Sequence, residues 1–458
     1  MAKKHPAQTT NSNPKDRLSF GAKISYGASD FGNSMAHTVA AFFLLIFLTD
    51  VVRLSPVWAG TLVLITKLWE ALVAPMIGYM TSRTWSRWGR YRPFLLWFSL
   101  PFGLFFGLIW SVPQPSDPWL RFLLMAGLLL CYITSFELIQ IPYASLAPEL
   151  VRDYDERTRL NGYRMFFSLF GSMAAMVLPA RFFSQAPDLH QGYRMMGLCF
   201  GILIALLPLI SFLGTQEGRT KPEPREAFFK SFGITFKNRP FLLSLAAYLA
   251  AWAAIDVITA LLLYFLKYHF GIREENCNLV FGIVFAAAIL FLPFWVSLSN
   301  RFGKRAAFLG GMGFLAASQI ALALAPANHS YLIYWLAPLG GIGIASIQVI
   351  PLSMIPDAVE FDELNTGRRR EGIYFGVLTF MYQLVSAMAL YGVSLVLQFS
   401  GYRPEVAQSP VMLRNLRLMV GGLPVFFFII VALALCKYPI NRSSHHKVAR
   451  ELDLRGKG

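Results

Sequence analysis

Charge is scarce in this chain. Of its 458 residues only 14% are Asp, Glu, Lys or Arg, against 55% hydrophobic, and the mean hydropathy is +0.50. A water-soluble fold of this length could not bury so much apolar surface, so the composition points to lipid as the solvent. Cysteine is scarce too. Cys131, Cys199, Cys277 and Cys436 are widely separated and lie mostly in apolar runs, which excludes a disulfide framework and the close spacing of a metal site. There are seven histidines, of which only His37 falls at membrane depth. No HExxH, no GxSxG and no glycine-rich phosphate loop is present, so neither an enzyme nor a bound cofactor is expected. Residues 1–19 lack the short apolar core and small-residue cleavage site of a signal peptide, and they read as a cytoplasmic tail. The net charge is +16, but the basic residues lie between apolar segments without interleaved aromatics. That pattern reads as membrane topology, with the lipid bilayer rather than nucleic acid as the partner.

What the chain has in abundance is long apolar runs. Twelve stretches of about twenty residues, the first at 24–49 and the last at 412–436, are each long enough to cross a hydrocarbon core as a helix. The expected fold is therefore an all-α membrane protein of twelve transmembrane helices in two six-helix pseudo-symmetric bundles. With the N-terminus inside, 30 of the 41 Lys and Arg fall on the cytoplasmic side and nine on the other, while Lys67 and Arg164 lie within spans. This imbalance places both termini in the cytoplasm. The organisation follows: a tail at 1–23, a bundle at 24–213, a charged proline-bearing linker at 214–240, a second bundle at 241–436 and a tail at 437–458. A bacterial inner membrane and a monomeric state are the expected setting.

Two motifs recur in register. Ser86-Arg87-Trp88-Gly89-Arg90-Tyr91-Arg92 follows span two, and Asn300-Arg301-Phe302-Gly303-Lys304-Arg305 follows span eight, 214 residues later. Ile141-Pro142, Pro148-Glu149 and Asp155-Glu156 straddle the end of span four. Ile350-Pro351, Pro356-Asp357 and Asp362-Glu363 repeat them at the end of span ten, 207 residues on between the acidic pairs. Six helices separate each pair, so the halves share orientation about an axis along the membrane normal. Such parallel repeats suit two bundles rocking about a midplane site, the work of a secondary transporter carrying a small-molecule solute. Arg87, Arg90, Asp155, Glu156, Arg157, Asp362 and Glu363 lie on the cytoplasmic face and are expected to form ion pairs that gate it.

Ionisable groups at membrane depth are costly and therefore functional candidates. Lys67 and Glu70, three residues apart on span two, share a helix face and are expected to handle the coupling ion together with Asp30 of span one. Asn33, Ser34 and His37 extend a polar stripe along that first span. Glu137 and Gln140 on span four, Arg164 on span five, Trp252 and Asp256 on span seven, and Thr379 and Gln383 on span eleven complete the substrate-binding set. Aromatic rings beside hydrogen-bonding groups suit a sugar, whose faces are apolar and whose edges are polar.

Further signatures are Tyr26-Gly27-Ala28-Ser29-Asp30-Phe31-Gly32, Leu48-Thr49-Asp50-Val51, Trp69-Glu70-Ala71, Pro75-Met76-Ile77-Gly78, Tyr163-Arg164 and Arg369-Arg370-Glu371-Gly372. With the repeated motifs, they make nearly the whole chain resemble the glycoside–pentoside–hexuronide:cation symporters, the melibiose permease group of the major facilitator superfamily. The resemblance implies twelve helices, alternating access and cation-driven uptake of a sugar-like solute. The family's two span-two aspartates are matched here by Glu70 and Ala74. Its two galactoside-gripping aspartates are matched by Ser34 and Gln140, and its span-eleven lysine by Gln383. With one carboxylate left at the cation position, the expectation is proton coupling through Glu70, ahead of sodium coupling or of a coupling that has been lost, with a glycoside, pentose or uronate as solute. The alternative is a lysolipid-like amphiphile, since distant relatives of the family move lysolipids. A membrane-embedded enzyme is a remote third.

Overall fold

A computed structural model describes residues 18–84, 86–112, 117–151, 154–217, 235–327, 329, 331–366, 371–404 and 406–439. The first half comprises α1 (Phe20–Ile46), α2 (Pro56–Arg83), α3 (Arg92–Ile109), α4 (Pro118–Leu150), α5 (Tyr154–Val177), α6 (Pro179–Gln185) and α7 (Leu189–Gly214). The second comprises α8 (Arg239–Tyr264), α9 (Glu274–Phe302), α10 (Lys304–Leu324), α11 (Leu332–Thr366), α12 (Glu371–Phe399) and α13 (Pro410–Cys436). The fifth span is interrupted, α5 giving way to the short α6 at Pro179, so the described residues contain twelve spans long and apolar enough to cross a membrane. This is a multi-pass membrane protein. Most of the linker and the C-terminal tail from residue 440 lie outside the described residues.

Helix starts follow local chemistry. Ser55, Asp117 and Ser409 each accept a backbone N–H two or three residues on, and a proline follows each of them in the first turn of the helix. Along the bundle exterior, rows such as Leu100, Leu104 and Leu108 or Ile202, Leu206 and Ile210 are apolar and exposed, as lipid requires. In the two repeat loops Gly89 and Gly303 adopt φ of +104° and +88°, a backbone region only glycine enters without strain. Beside Gly89, the carboxylate of Glu217 accepts the backbone N–H groups of Arg90, Tyr91 and Arg92 at 2.7, 2.9 and 3.2 Å. The end of the first half is thereby tied to the α2–α3 loop.

The repeat runs deeper than the sequence motifs. The first helix of each half, α1 and α8, ends in a π-turn, at Phe47–Val51 and Phe265–His269, 218 residues apart. Both close alike, with Val52 N–H donating to Phe47 O at 2.9 Å and Phe270 N–H to Phe265 O at 3.3 Å. π-turns concentrate at functional positions because they re-aim the side chains that follow.

Small residues set close helix contacts within the first half. A Cβ added at Gly103 of α3 would stand 2.1 Å from the carbonyl oxygen of Gly201 on α7. Gly103→Ala is expected to force these helices apart and destabilise the protein by about 1–3 kcal/mol, as overpacking does. Gly127→Ala, where nothing lies within 4 Å of the added carbon, should cost nothing. Thermal unfolding of the two variants in detergent checks this, and equal stability would refute it.

Candidate functional site

Between the halves lies a cavity of about 280 Å³. α1, α2, α4 and α5 form one wall, and α8, α9, α11 and α12 form the other. Its lining is mostly apolar and aromatic, interrupted by Lys67, Glu70, Asp256, His37 and a few hydroxyls.

The polar centre spans the interface. Lys67 Nζ stands 3.4 Å from Glu70 Oε2, and both groups are largely buried. Gln383, arriving from α12 of the other half, accepts from Lys67 Nζ at 3.0 Å through its Oε1 and donates through Nε2 to Glu70 Oε1. One amide thus reads both members of the pair at once. Glu70 is not the lone carboxylate that the sequence suggests. Lys67 also interacts electrostatically with Asp256 from α8 and Glu137 from α4, so three acids surround one ammonium. Only folding could show this, because the three come from different helices.

The remaining site candidates separate into those facing the cavity and those turned into the first bundle. His37, Trp252 and Asp256 line the cavity. Asp30 is buried against Arg164, 3.2 Å from its Nε. Asn33 donates to Gln140 at 2.7 Å, and Ser34 bonds Ser168 at 2.6 Å. None of these six residues, nor Glu137, is among the cavity lining. Thr379 returns its hydroxyl to Phe375 O of its own helix at 3.0 Å.

On the face that carries the termini, Arg87 is exposed and stacks over Trp88, 4.3 Å from the ring centre. Arg90 and Asp362 are buried and Glu363 is half-buried. The side chains of Asp155, Glu156 and Arg157 lie outside the described residues. An ion pair missed by sequence reasoning sits in the repeat: Lys304 Nζ meets Asp357 at 2.7 Å, at the positions matched in the first half by Arg90 and Glu149.

The largest group that sequence reasoning missed closes the opposite face. Asp50, in the π-turn after α1, is buried and held chiefly by the other half, with the neighbouring Thr49 Oγ1 also donating to its Oδ1 at 2.9 Å. It accepts from Lys267 Nζ at 2.8 Å, from Tyr268 Oη at 2.6 Å and from Tyr402 Oη. Beside it the hydroxyls of Thr49 and Tyr264 bond at 2.8 Å. Asp50 and Tyr268 occupy equivalent places in their π-turns, 218 residues apart, so the lock sits where the repeats face each other. The available signal was a charge at the end of span one and another at the end of span seven. Nothing in their spacing says that they touch. Below this layer α2 and α12 meet closely: a Cβ on Gly60 would fall 2.3 Å from that of Ser394.

Comparison with known proteins agrees with this architecture. Residues 25–442 match the profile of the MFS/sugar transport protein family. An uncharacterised symporter of Synechocystis sp. is 29% identical, the alignment covering 96% of this chain and 98% of that protein. The sodium-dependent lysophosphatidylcholine symporter 1 of Gallus gallus is 25% identical over 96% of this chain and 90% of its own length. A candidate sulfoquinovose importer of Escherichia coli (strain K12) is also 25% identical, over 96% and 95%. Among solved structures, a bacterial homologue of the lysosomal transporter Spinster superposes with a TM-score of 0.65 at 14% identity, covering 91% of this chain and 95% of that one. The nucleoside transporter NupG superposes at 0.67 and 12%, covering 90% and 99%; both share the fold. The chain belongs to the MFS/sugar transport protein family and is a secondary transporter of the symporter type, not an enzyme.

Proposed function

We propose that this member of the MFS/sugar transport family carries a sugar-like solute across the cell membrane together with a proton held at Glu70. The observation that carries this reading is the bridge from Lys67 and Glu70 on α2 to Gln383 on α12, because it makes the protonation state of one carboxylate a property of the contact between halves. A proton on Glu70 removes the ion pair with Lys67 and turns an acceptor of the Gln383 amide into a donor. The three-acid cluster around one ammonium then loses a buried negative charge, which lowers the cost of enclosing it away from water.

Sodium fits this position poorly. It needs several oxygen ligands, whereas both oxygens of Glu70 already face nitrogen donors, and Lys67 occupies the place of a cation. The excess of Lys and Arg on the face of the termini supports a cytoplasmic orientation for that face. The face closed by Asp50 is then external, and the cavity belongs to a state shut to the outside.

A second reading is favoured by one observation: Phe42, Leu45, Ile133, Phe136 and Phe285 give the cavity a greasy wall that an acyl chain could occupy, and relatives include lysophosphatidylcholine symporters. Proteoliposomes on a sensor that records charge movement separate the readings. Methyl glycosides, pentoses and uronates are applied under a pH gradient, with sodium exchanged for potassium. A saturable current for at least one sugar, following the proton gradient and indifferent to sodium, is expected. Strict sodium dependence would remove the proton reading. Transport of lysophosphatidylcholine alone would remove the sugar.

A further inference from the structure

We infer that the hydroxyl-binding subsite for the solute lies on the second half of the protein, built by Trp252, Asp256 and Ser386, rather than on the first. The inference rests on the sugar-like reading above. Buried polar atoms nearly always have partners, and those without one call for an explanation. Three such atoms gather on one wall of the cavity: Trp252 Nε1, Asp256 Oδ2 and Ser386 Oγ are all buried with no partner in full hydrogen-bonding geometry, Ser386 standing near enough to Asp256 to interact with it, and all three residues line the space. Trp252 and Asp256 stand one turn apart on α8, so their polar ends share a face. Asp256 is fixed from its other side, where Oδ1 accepts from Tyr382 Oη at 3.3 Å. The rings of Tyr248, Trp252 and Tyr382 pack mutually, 5.9–6.3 Å between centres, and hold the indole in place.

Among the described residues, the buried unpartnered polar atoms of the first half, such as Ser29 Oγ and Asn33 Oδ1, lie on residues outside the cavity lining. Ser34 and Gln140, the positions at which the resemblance would put the sugar grip, are satisfied by Ser168 and Asn33 and stand outside the cavity.

The chemistry of the orphan atoms selects the ligand group. An indole N–H only donates, an ionised carboxylate only accepts, and a hydroxyl does both. An alcohol can therefore accept from Trp252 while donating to Asp256, with a neighbouring alcohol meeting Ser386. A quaternary ammonium neither donates nor accepts and would leave Trp252 and Ser386 unsatisfied. A phosphate would bring like charge against Asp256. The aromatic rings alongside supply the apolar surface that a pyranose face needs. Asp256 also interacts electrostatically with Lys67, so a hydroxyl on Asp256 is sensed by the group that pairs with Glu70.

Calorimetric and thermal-shift titrations of the purified full-length protein test this, using methyl galactosides, glucosides, xylosides and glucuronides, with choline and lysophosphatidylcholine alongside. At least one glycoside is expected to bind. Trp252→Phe, Asp256→Asn and Ser386→Ala should each weaken it about tenfold or more, since each removes a partner from a buried group, while Ser34→Ala stays within about twofold. Trp252→Phe and Ser386→Ala keep the shape of the wall, so they decide the matter if Asp256→Asn does not fold. A glycoside bound equally by the wild type and these variants overturns the subsite and leaves the transport reading standing. Binding of choline or lysophosphatidylcholine with no glycoside bound overturns both.

Discussion

Replacing Glu70 with glutamine is expected to abolish accumulation of solute while leaving exchange across the membrane intact. Glutamine keeps the size of the side chain and can still bond Gln383, so the two halves retain their contact at this level. It cannot take up a proton, and it cannot pair with Lys67 as an anion. A gradient of one pH unit is worth about 1.36 kcal/mol per proton, which is a tenfold concentration ratio for one-to-one coupling. Proteoliposomes with an imposed gradient of one unit should therefore reach about tenfold accumulation with the wild type and no accumulation with Glu70→Gln. Counterflow of labelled solute should persist in the variant. Accumulation by Glu70→Gln at the wild-type level, with the same pH dependence, would end the case for Glu70 as the proton carrier.

The second large effect is expected at Asp50. Its carboxylate gathers Lys267, Tyr268 and Tyr402, every one from the other half, in a place shielded from water. Asn at this position presents an amide N–H among these donors and removes the carboxylate that pairs with Lys267 at 2.8 Å. Breaking a buried pair by removing one partner costs about 3–5 kcal/mol. The contact joins the two halves, so its loss is expected to fall on the state in which this face is closed and to shift the population toward opening by about a hundredfold or more. A cysteine at Thr259, on the cavity wall, reports the change in a background with the four native cysteines replaced. An impermeant maleimide added from the face opposite the termini should label it far faster in Asp50→Asn. Unchanged labelling would show that the cluster does not hold the gate.

These two sites differ in how far they could be read beforehand. Glu70 and Lys67 stood out because a charge inside an apolar run is conspicuous and because helical periodicity puts positions three apart on one face. Asp50 lies at the end of such a run, where charge is ordinary, and its partners in the other half are more than 210 residues away in the sequence. The stripe of Asp30, Asn33, Ser34 and His37 shows the same limit from the other side. Periodicity groups these residues correctly on α1, yet three of the four turn into their own bundle toward Arg164, Gln140 and Ser168, and only His37 reaches the cavity. A helix packed on several sides can place a polar face against either a neighbour or a solvent space, and its own sequence does not distinguish the two.

By itself the sequence determined the solvent, the number of crossings and the doubling of the halves. These depend on hydropathy summed over twenty residues and on motifs repeated along one chain, and neither requires knowing what touches what. The tertiary structure alone decided which polar groups share a space. It set three acids around Lys67, it joined Glu70 to Gln383 across the interface, and it placed Asp50 beneath three donors from the opposite half. The physical reason is that electrostatic and hydrogen-bonding interactions act over a few ångströms in space, whatever the separation of the groups along the chain.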